Sequence, residues 1–171
     1  MKDHLEYIFS NVNDWLKFAE AKSATLLAAN GVMLFGILRL AKDQELGVFT
    51  NIGLFTGCIC FSISLVFCLS SFVPSLTMPW VHKKYDKTAN DNLLFFGHIE
   101  NYTPHAYLKA LRLSCGEQAG SDDKYLEMLA QQVITNSVIA SYKYSIFKKS
   151  IWLTLIGFVI ICAASLCYFW L

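Results

Sequence analysis

The residue types best suited to binding chemistry gather in one short stretch, Phe95-Phe96-Gly97-His98-Ile99, followed by Asn101, Tyr102 and Tyr107. Aromatic rings can stack on a nucleobase, while His, Asn and Tyr can hydrogen-bond its edge or a phosphate. An anionic ligand also calls for cations, because charge-assisted hydrogen bonds to phosphate are stronger than neutral ones. Lys83, Lys84, Arg112 and Lys143 supply positive charge, and Asn136 and Ser137 lie on the same predicted helix as Lys143. The candidate ligand set is therefore Lys83, Lys84, Phe96, Gly97, His98, Asn101, Tyr102, Tyr107, Arg112, Asn136, Ser137 and Lys143. A plainer reading fits the same residues: a core turn in which Gly97 permits close packing, beside a solvated charged surface.

Catalysis finds no support. His4, His82, His98 and His105 pair with no Ser or Cys in a recognisable nucleophile arrangement, and no glycine-rich phosphate loop is present. Of the six cysteines, Cys58, Cys60, Cys68, Cys162 and Cys167 lie inside apolar blocks; only Cys115 does not. None has zinc-ligand spacing, so they read as small polarizable packing residues, with neither a metal site nor a disulfide framework expected.

A second polar set sits in apolar surroundings. Asn30 is costly in lipid and must face protein or water. Gly53-Leu-Phe-Thr-Gly57 places small residues four apart, which lets helix backbones approach closely, although such a pair also arises by chance. Thr56, Ser62, Ser64, Ser70 and Ser71 either face neighbouring helices or line an aqueous path. Asn30, Gly53, Thr56, Gly57 and Ser64 are the candidate pore or helix-packing residues.

The elements that must position these residues follow from composition and periodicity. The chain has 171 residues, 55% of them hydrophobic, and a net charge of +1, so no global field points to nucleic acid. Mean hydropathy is +0.42, and three dense apolar blocks hold much of the excess, which indicates lipid contact instead of one large soluble core. Residues 1–22 are predicted to form a cytosolic amphipathic helix: Leu5, Ile8, Phe9, Val12, Trp15, Leu16 and Ala19 share one face. That face either packs on the rest of the protein or lies in the membrane interface. The acidic residues Asp3, Glu6, Asp14 and Glu20 and the lack of a continuous apolar core argue against a signal peptide.

Nothing breaks the helix before Asn30, so it is expected to continue into a first span at 23–41. A second span is expected at 51–73, closed by Pro74, and a third at 150–171. Between the last two lies a helical sensing region, 74–149. Residues 75–91 read as a loop and Leu93 to Ile99 as a short apolar element. Thr103-Pro104 is a helix start and Gly116 a stop. Gly120-Ser121 opens a long helix that meets no Gly or Pro from Asp122 to Ile156 and is expected to run into the third span. The fold class is thus all-α, with three transmembrane helices, a helical cytosolic sensor region, and long helices continuous between cytosol and membrane.

Lysines set the expected orientation. Lys17 and Lys22 precede span one, Lys83, Lys84 and Lys87 follow span two, and Lys143, Lys148 and Lys149 precede span three. Under the positive-inside bias, the N-terminus and 74–149 are cytosolic, with the 42–50 turn and Leu171 on the far side.

The chain resembles the Pycsar transmembrane effector family of bacterial antiphage membrane proteins. The resemblance rests on three stretches in order. The first, from Trp15 through Glu20 and Lys22 to Asn30-Gly31, leads into span one. The second is Val73-Pro74, then Asn92-Leu93-Leu94-Phe95-Phe96-Gly97-His98-Ile99 and Tyr107. The third comprises Ile134, Ser137, Ile139, Ala140, Lys143 and Tyr144. Glu20 stands where the family usually has Asp, and His98 where it usually has an acid; the second change favours a more negative ligand. The resemblance implies an effector partnered with a nucleotide-signal synthase from the same operon. The signal would control inner-membrane oligomers whose activation damages the membrane and stops the infected cell, an abortive infection.

Together these readings predict a ligand-gated oligomeric channel or pore in the bacterial inner membrane and not an enzyme. Its regulatory ligand is a cyclic nucleotide or short oligonucleotide from a co-encoded nucleotidyltransferase or cyclase, and no other cofactor is expected. Three spans are too few to enclose water, so a homo-oligomer, a tetramer by expectation, is needed alongside the membrane lipid. The alternative is a membrane scaffold that recruits a cytosolic partner through 74–149 and conducts nothing.

Overall fold

The computed structural model describes residues 1–42, 47–73, 91–116 and 124–170, the side chains of 40 and 167–170 aside. Among the described residues there are five helices: α1, Lys2–Lys42; α2, Val48–Ser70; α3, Phe96–Ile99; α4, Pro104–Cys115; and α5, Lys124–Trp170. No strand occurs among the described residues. Three of the helices, α1, α2 and α5, contain stretches long and apolar enough to cross a membrane. The protein is therefore an all-α membrane protein, as its hydropathy predicts.

Local sequence explains the helix boundaries. At the start of α4 the Thr103 Oγ1 accepts from the Ala106 N–H at 3.4 Å, and Pro104 occupies the first helical turn, where a missing N–H costs nothing. At its end Gly116 adopts φ +68°, a left-handed cap that β-carbon-bearing residues resist. α2 begins after Gly47 and stops at Ser70, three residues short of the expected 73, and Ser71 to Val73 form a turn. A proline at 74 disfavours helical geometry in the residue before it. The short apolar element narrows to one helical turn, α3, preceded by a turn at 93–95.

The chain divides into two compact units. The first comprises Met1–Ala19 and Pro74–Tyr144. Its core is apolar: Leu5, Ile8 and Val12 of α1 meet Phe96 and Ile99 of α3, Tyr107, Leu108 and Leu111 of α4, and Leu126, Ala130, Val133, Ile134 and Ala140 of α5. The predicted amphipathic face of the first helix is thus packed against protein. The second unit comprises Glu20–Val73 and Ser145–Leu171. Its apolar cluster is small, built on Ile37, Leu54 and Phe61. Many apolar side chains point outward, among them Val32, Phe35, Phe55, Val66 and Val159, each more than 60% exposed. A surface of that kind is suited to lipid. α1 and α5 each contribute residues to both units.

Candidate functional site

The first unit organises the aromatic stretch around its core. Phe96 is buried and lies nearly parallel to Tyr144 of α5, with ring centroids 5.3 Å apart and an interplanar angle of 15°. Trp15 of α1 closes the group, 5.8 Å from Phe96 and 6.2 Å edge-on from Tyr144. The stacking surface of Phe96 is therefore taken by protein. Phe95, on the rim, is 40% exposed and 4.7 Å from Phe96. Gly97 sits beneath the Phe95 ring: a β-carbon there would come within 2.6 Å of Phe95 Cε1. The close packing foreseen for this glycine is present.

The polar members have local duties. His98 Nδ1 accepts the Asn92 N–H at 2.9 Å, which places the ring proton of a neutral imidazole on Nε2. Asn101 Nδ2 donates to the Gly97 carbonyl at 3.0 Å and so caps the end of α3. Tyr102 donates to the Asp91 carboxylate at 2.9 Å, and Tyr107, fully buried, donates to the Leu93 carbonyl at 2.7 Å. Burial holds the Tyr107 phenol far above its ordinary range, and the neighbouring Tyr102 adds to the shift, so Tyr107 remains a neutral donor. Together these bonds fix the loop from Asp91 to Tyr102 upon α4.

On α5, Ser137 is fully buried and donates to the Val133 carbonyl of its own helix. Asn136 donates to Asn13 of α1 at 2.7 Å. Lys143 is half-buried, one position before the stacked Tyr144, and Arg112 is half-buried on α4. Phe96, Tyr107 and Ser137 thus serve the core, and Asn136 joins two helices. His98, Asn101, Tyr102, Arg112 and Lys143 retain partial exposure. Lys83 and Lys84 lie outside the described residues. Sequence reasoning named Trp15 on the amphipathic face of the first helix and Tyr144 within a family-like stretch, and did not pair them with Phe96. Their helical positions, each a few residues before an apolar block, were the available signal.

The second unit holds a cluster of a different kind. Asn30 of α1, Ser64 of α2, and Ser150 and Thr154 of α5 are all buried. Asn30 Nδ2 donates to Ser64 Oγ at 2.8 Å, and Thr154 Oγ1 donates to Asn30 Oδ1 at 3.0 Å. Ser64 Oγ lies 2.9 Å from both the Ser150 carbonyl and Thr154 Oγ1. With one proton per hydroxyl, these contacts compete: Ser64 can donate to the Ser150 carbonyl or to Thr154, and Thr154 to Asn30, to Ser64 or to the Ser150 carbonyl 3.1 Å away. Asn30 and Ser64 are thus buried against protein. Ser150 and Thr154 were missed, although a polar side chain inside an apolar block was the same signal used for Asn30 and Ser64.

The small-residue pair packs against α5. Gly53 faces Ala164, and Gly57 faces Ile161 and the Gly157 carbonyl. Thr56 differs, because its hydroxyl bonds back to the Ile52 carbonyl on its own helix. Cys58, Cys60, Cys68, Cys115 and Cys162 are free thiols. No group of three or more His, Cys, Asp or Glu side chains gathers among the described residues.

These features define a class: a helical membrane protein whose three apolar helices are joined by buried hydrogen bonds, with an aromatic-centred helical unit built on two of the same helices. The profile of the Pycsar effector protein domain matches residues 4–170, and the chain belongs to that family. It is similar to the Pycsar effector protein PtPycTM of Propioniciclava tarda, at 30% identity over 155 residues, 89% of this chain and 72% of the relative. It is also similar to the Pycsar effector protein RsPycTM of a Rhizobium species, at 31% identity over 148 residues, 85% and 83% of the two chains. No solved structure matches it. Pycsar effectors act at the membrane in antiphage defence and work with a nucleotide signal from a co-encoded cyclase. The family is not a known family of enzymes.

Proposed function

We propose that this chain is a nucleotide-gated, homo-oligomeric effector of the bacterial inner membrane, whose activation depolarises or disrupts the membrane. The observation that carries the reading is the Trp15–Phe96–Tyr144 group. It ties the turn bearing His98 and Asn101 to α1 and α5, and both helices continue into apolar, membrane-competent stretches. A ligand that shifts that turn has a direct mechanical hold on two of the three spans. The ligand is a cyclic nucleotide or short oligonucleotide, and it either opens the assembly or holds it shut.

In this reading the ligand meets the partly exposed residues His98, Asn101, Tyr102, Arg112 and Lys143, with Lys83 and Lys84 adding charge. Phe96, Gly97, Tyr107, Asn136 and Ser137 hold that surface in shape. Phosphate contact favours Arg112 and Lys143 most, because each offers a charged donor. Four copies around an axis would enclose an aqueous path that three spans cannot.

The test is to purify the protein from cells with and without the neighbouring cyclase gene and identify co-purifying nucleotides by mass spectrometry. A nucleotide retained only with the cyclase, and lost in Lys143→Ala, supports the reading. Protein that carries no nucleotide and runs as a monomer in mild detergent contradicts it. Orientation has its own check. Cys115 is exposed, so a membrane-impermeant thiol reagent should label it only after the inner membrane is opened.

A further inference from the structure

The second unit carries an open groove of about 580 Å³ between α2 and α5, lined by Phe67, Ser145, Lys148, Lys149, Trp152 and Leu153. Four of these, Ser145, Lys148, Lys149 and Trp152, follow helical spacing along one side of α5. Polarity changes along the groove. On α5, Ser145 and the two lysines stand at one end and Trp152 and Leu153 at the other, with Phe67 of α2 across the groove. Both lysines are exposed, and neither has an acidic partner among the described residues. Trp152 is 58% exposed. It lies about 5–6 Å along the helix from the lysines, at the start of the apolar stretch. Exposed Leu155, Ile156 and Val159 of α5 continue the apolar surface beyond it.

We propose that this groove binds one anionic phospholipid. Its phosphodiester meets Lys148, Lys149 and the Ser145 hydroxyl, its glycerol backbone lies against Trp152, and an acyl chain runs past Phe67 and Leu153. Each part follows from ordinary membrane chemistry. Two uncompensated cations at the end of a span attract anionic headgroups, and an indole prefers the interface between headgroup and hydrocarbon. The apolar wall then holds the chain that an anchored headgroup brings with it. A zwitterionic lipid offers the same apolar contacts but no net charge, so the groove discriminates by headgroup. This site does not depend on the nucleotide-binding reading.

The experiment uses the full-length protein in mild detergent. Native mass spectrometry would count phosphatidylglycerol and phosphatidylcholine retained at equal concentration. Wild-type protein should retain phosphatidylglycerol preferentially. The double variant Lys148→Gln/Lys149→Gln should bind it on the order of tenfold more weakly, and Lys148→Arg/Lys149→Arg should restore it. Substituting two distant lysines, Lys2→Gln/Lys109→Gln, should leave it unchanged. In liposomes, phosphatidylglycerol brominated on its acyl chains should quench a fraction of the tryptophan fluorescence that disappears in Trp152→Phe. Equal retention of both lipids, or undiminished retention by the double Gln variant, would overturn the proposal. So would displacement of the lipid by millimolar inorganic phosphate, which would mark a free-anion site. A Trp152 signal that brominated lipid cannot quench would do the same, since it would mean that a second copy covers the groove.

Discussion

The two units bury opposite things. The first packs Leu5, Ile8, Val12, Ile99, Leu111 and Val133 inside, with the Tyr107 ring among them. The second turns Val32, Phe35, Phe55 and Val66 outward and keeps Asn30, Ser64, Ser150 and Thr154 inside. One unit is held together by the hydrophobic effect. The other lies where the surroundings are as apolar as its own side chains, so close packing and hydrogen bonds must join the helices. The contrast identifies which solvent each part meets more directly than hydropathy alone, because α1 and α5 belong to both units and change character along their length.

Substitutions can break or sharpen that contrast. The largest effect is expected at Tyr107. Tyr107→Ala removes a fully buried ring from the first unit and should cost about 3–5 kcal/mol, read as a large drop in thermal midpoint in detergent. A small effect would mean that this core is not tightly packed. Next is the α2–α5 seam. Gly57→Leu drives a side chain into Ile161 and the Gly157 carbonyl and should cost about 1–3 kcal/mol by overpacking. Gly31→Leu, where nothing lies within 4 Å, should be tolerated.

The buried polar cluster should respond more mildly. Asn30→Leu removes two hydrogen bonds, to Ser64 and to Thr154, and should cost about 1 kcal/mol, since membrane hydrogen bonds average about 0.6 kcal/mol each. Replacing Asn30, Ser64 and Thr154 together by Leu, Ala and Val should recover most of that loss, because no buried hydroxyl is then left with fewer partners than before. Additive losses in the triple variant would show that the cluster contributes stability outright. The smallest effect concerns one bond. Tyr107→Phe deletes the contact to the Leu93 carbonyl and should cost about 1 kcal/mol at neutral pH. The raised phenol also has a pH signature. Its stabilising contribution is complete below the unfolded tyrosine value of about 10 and is lost as pH rises from there toward the higher folded value. Tyr107→Phe should therefore show a shallower alkaline loss of stability than wild type.

The helical plan was legible because its signals are local. Thr103-Pro104 and Gly116 bound α4, and the unbroken run to Ile156 marks α5. The face of Leu5, Ile8 and Val12 was readable as helical spacing, but its partners were not. Periodicity says that a face is covered without saying by what. The same gap separates Phe96 from Tyr144, which are 48 positions apart, and Asn30 from Thr154, which are 124 apart. Aromatic and polar composition suggested that Phe96, Tyr107 and Ser137 face a ligand. All three are buried; a ring or hydroxyl that can serve a ligand can equally serve a core. His98, Asn101, Tyr102, Arg112 and Lys143, by contrast, keep partial exposure.

The central claim is that chemistry at the first unit controls the second. The most direct measurement is ion flux from liposomes containing the purified full-length chain, with and without the purified nucleotide product of the co-encoded cyclase. The account predicts a flux that changes with nucleotide, in either direction, and a response weakened about tenfold or more in concentration dependence by Lys143→Ala. Flux identical with and without a nucleotide that demonstrably binds the protein would contradict it.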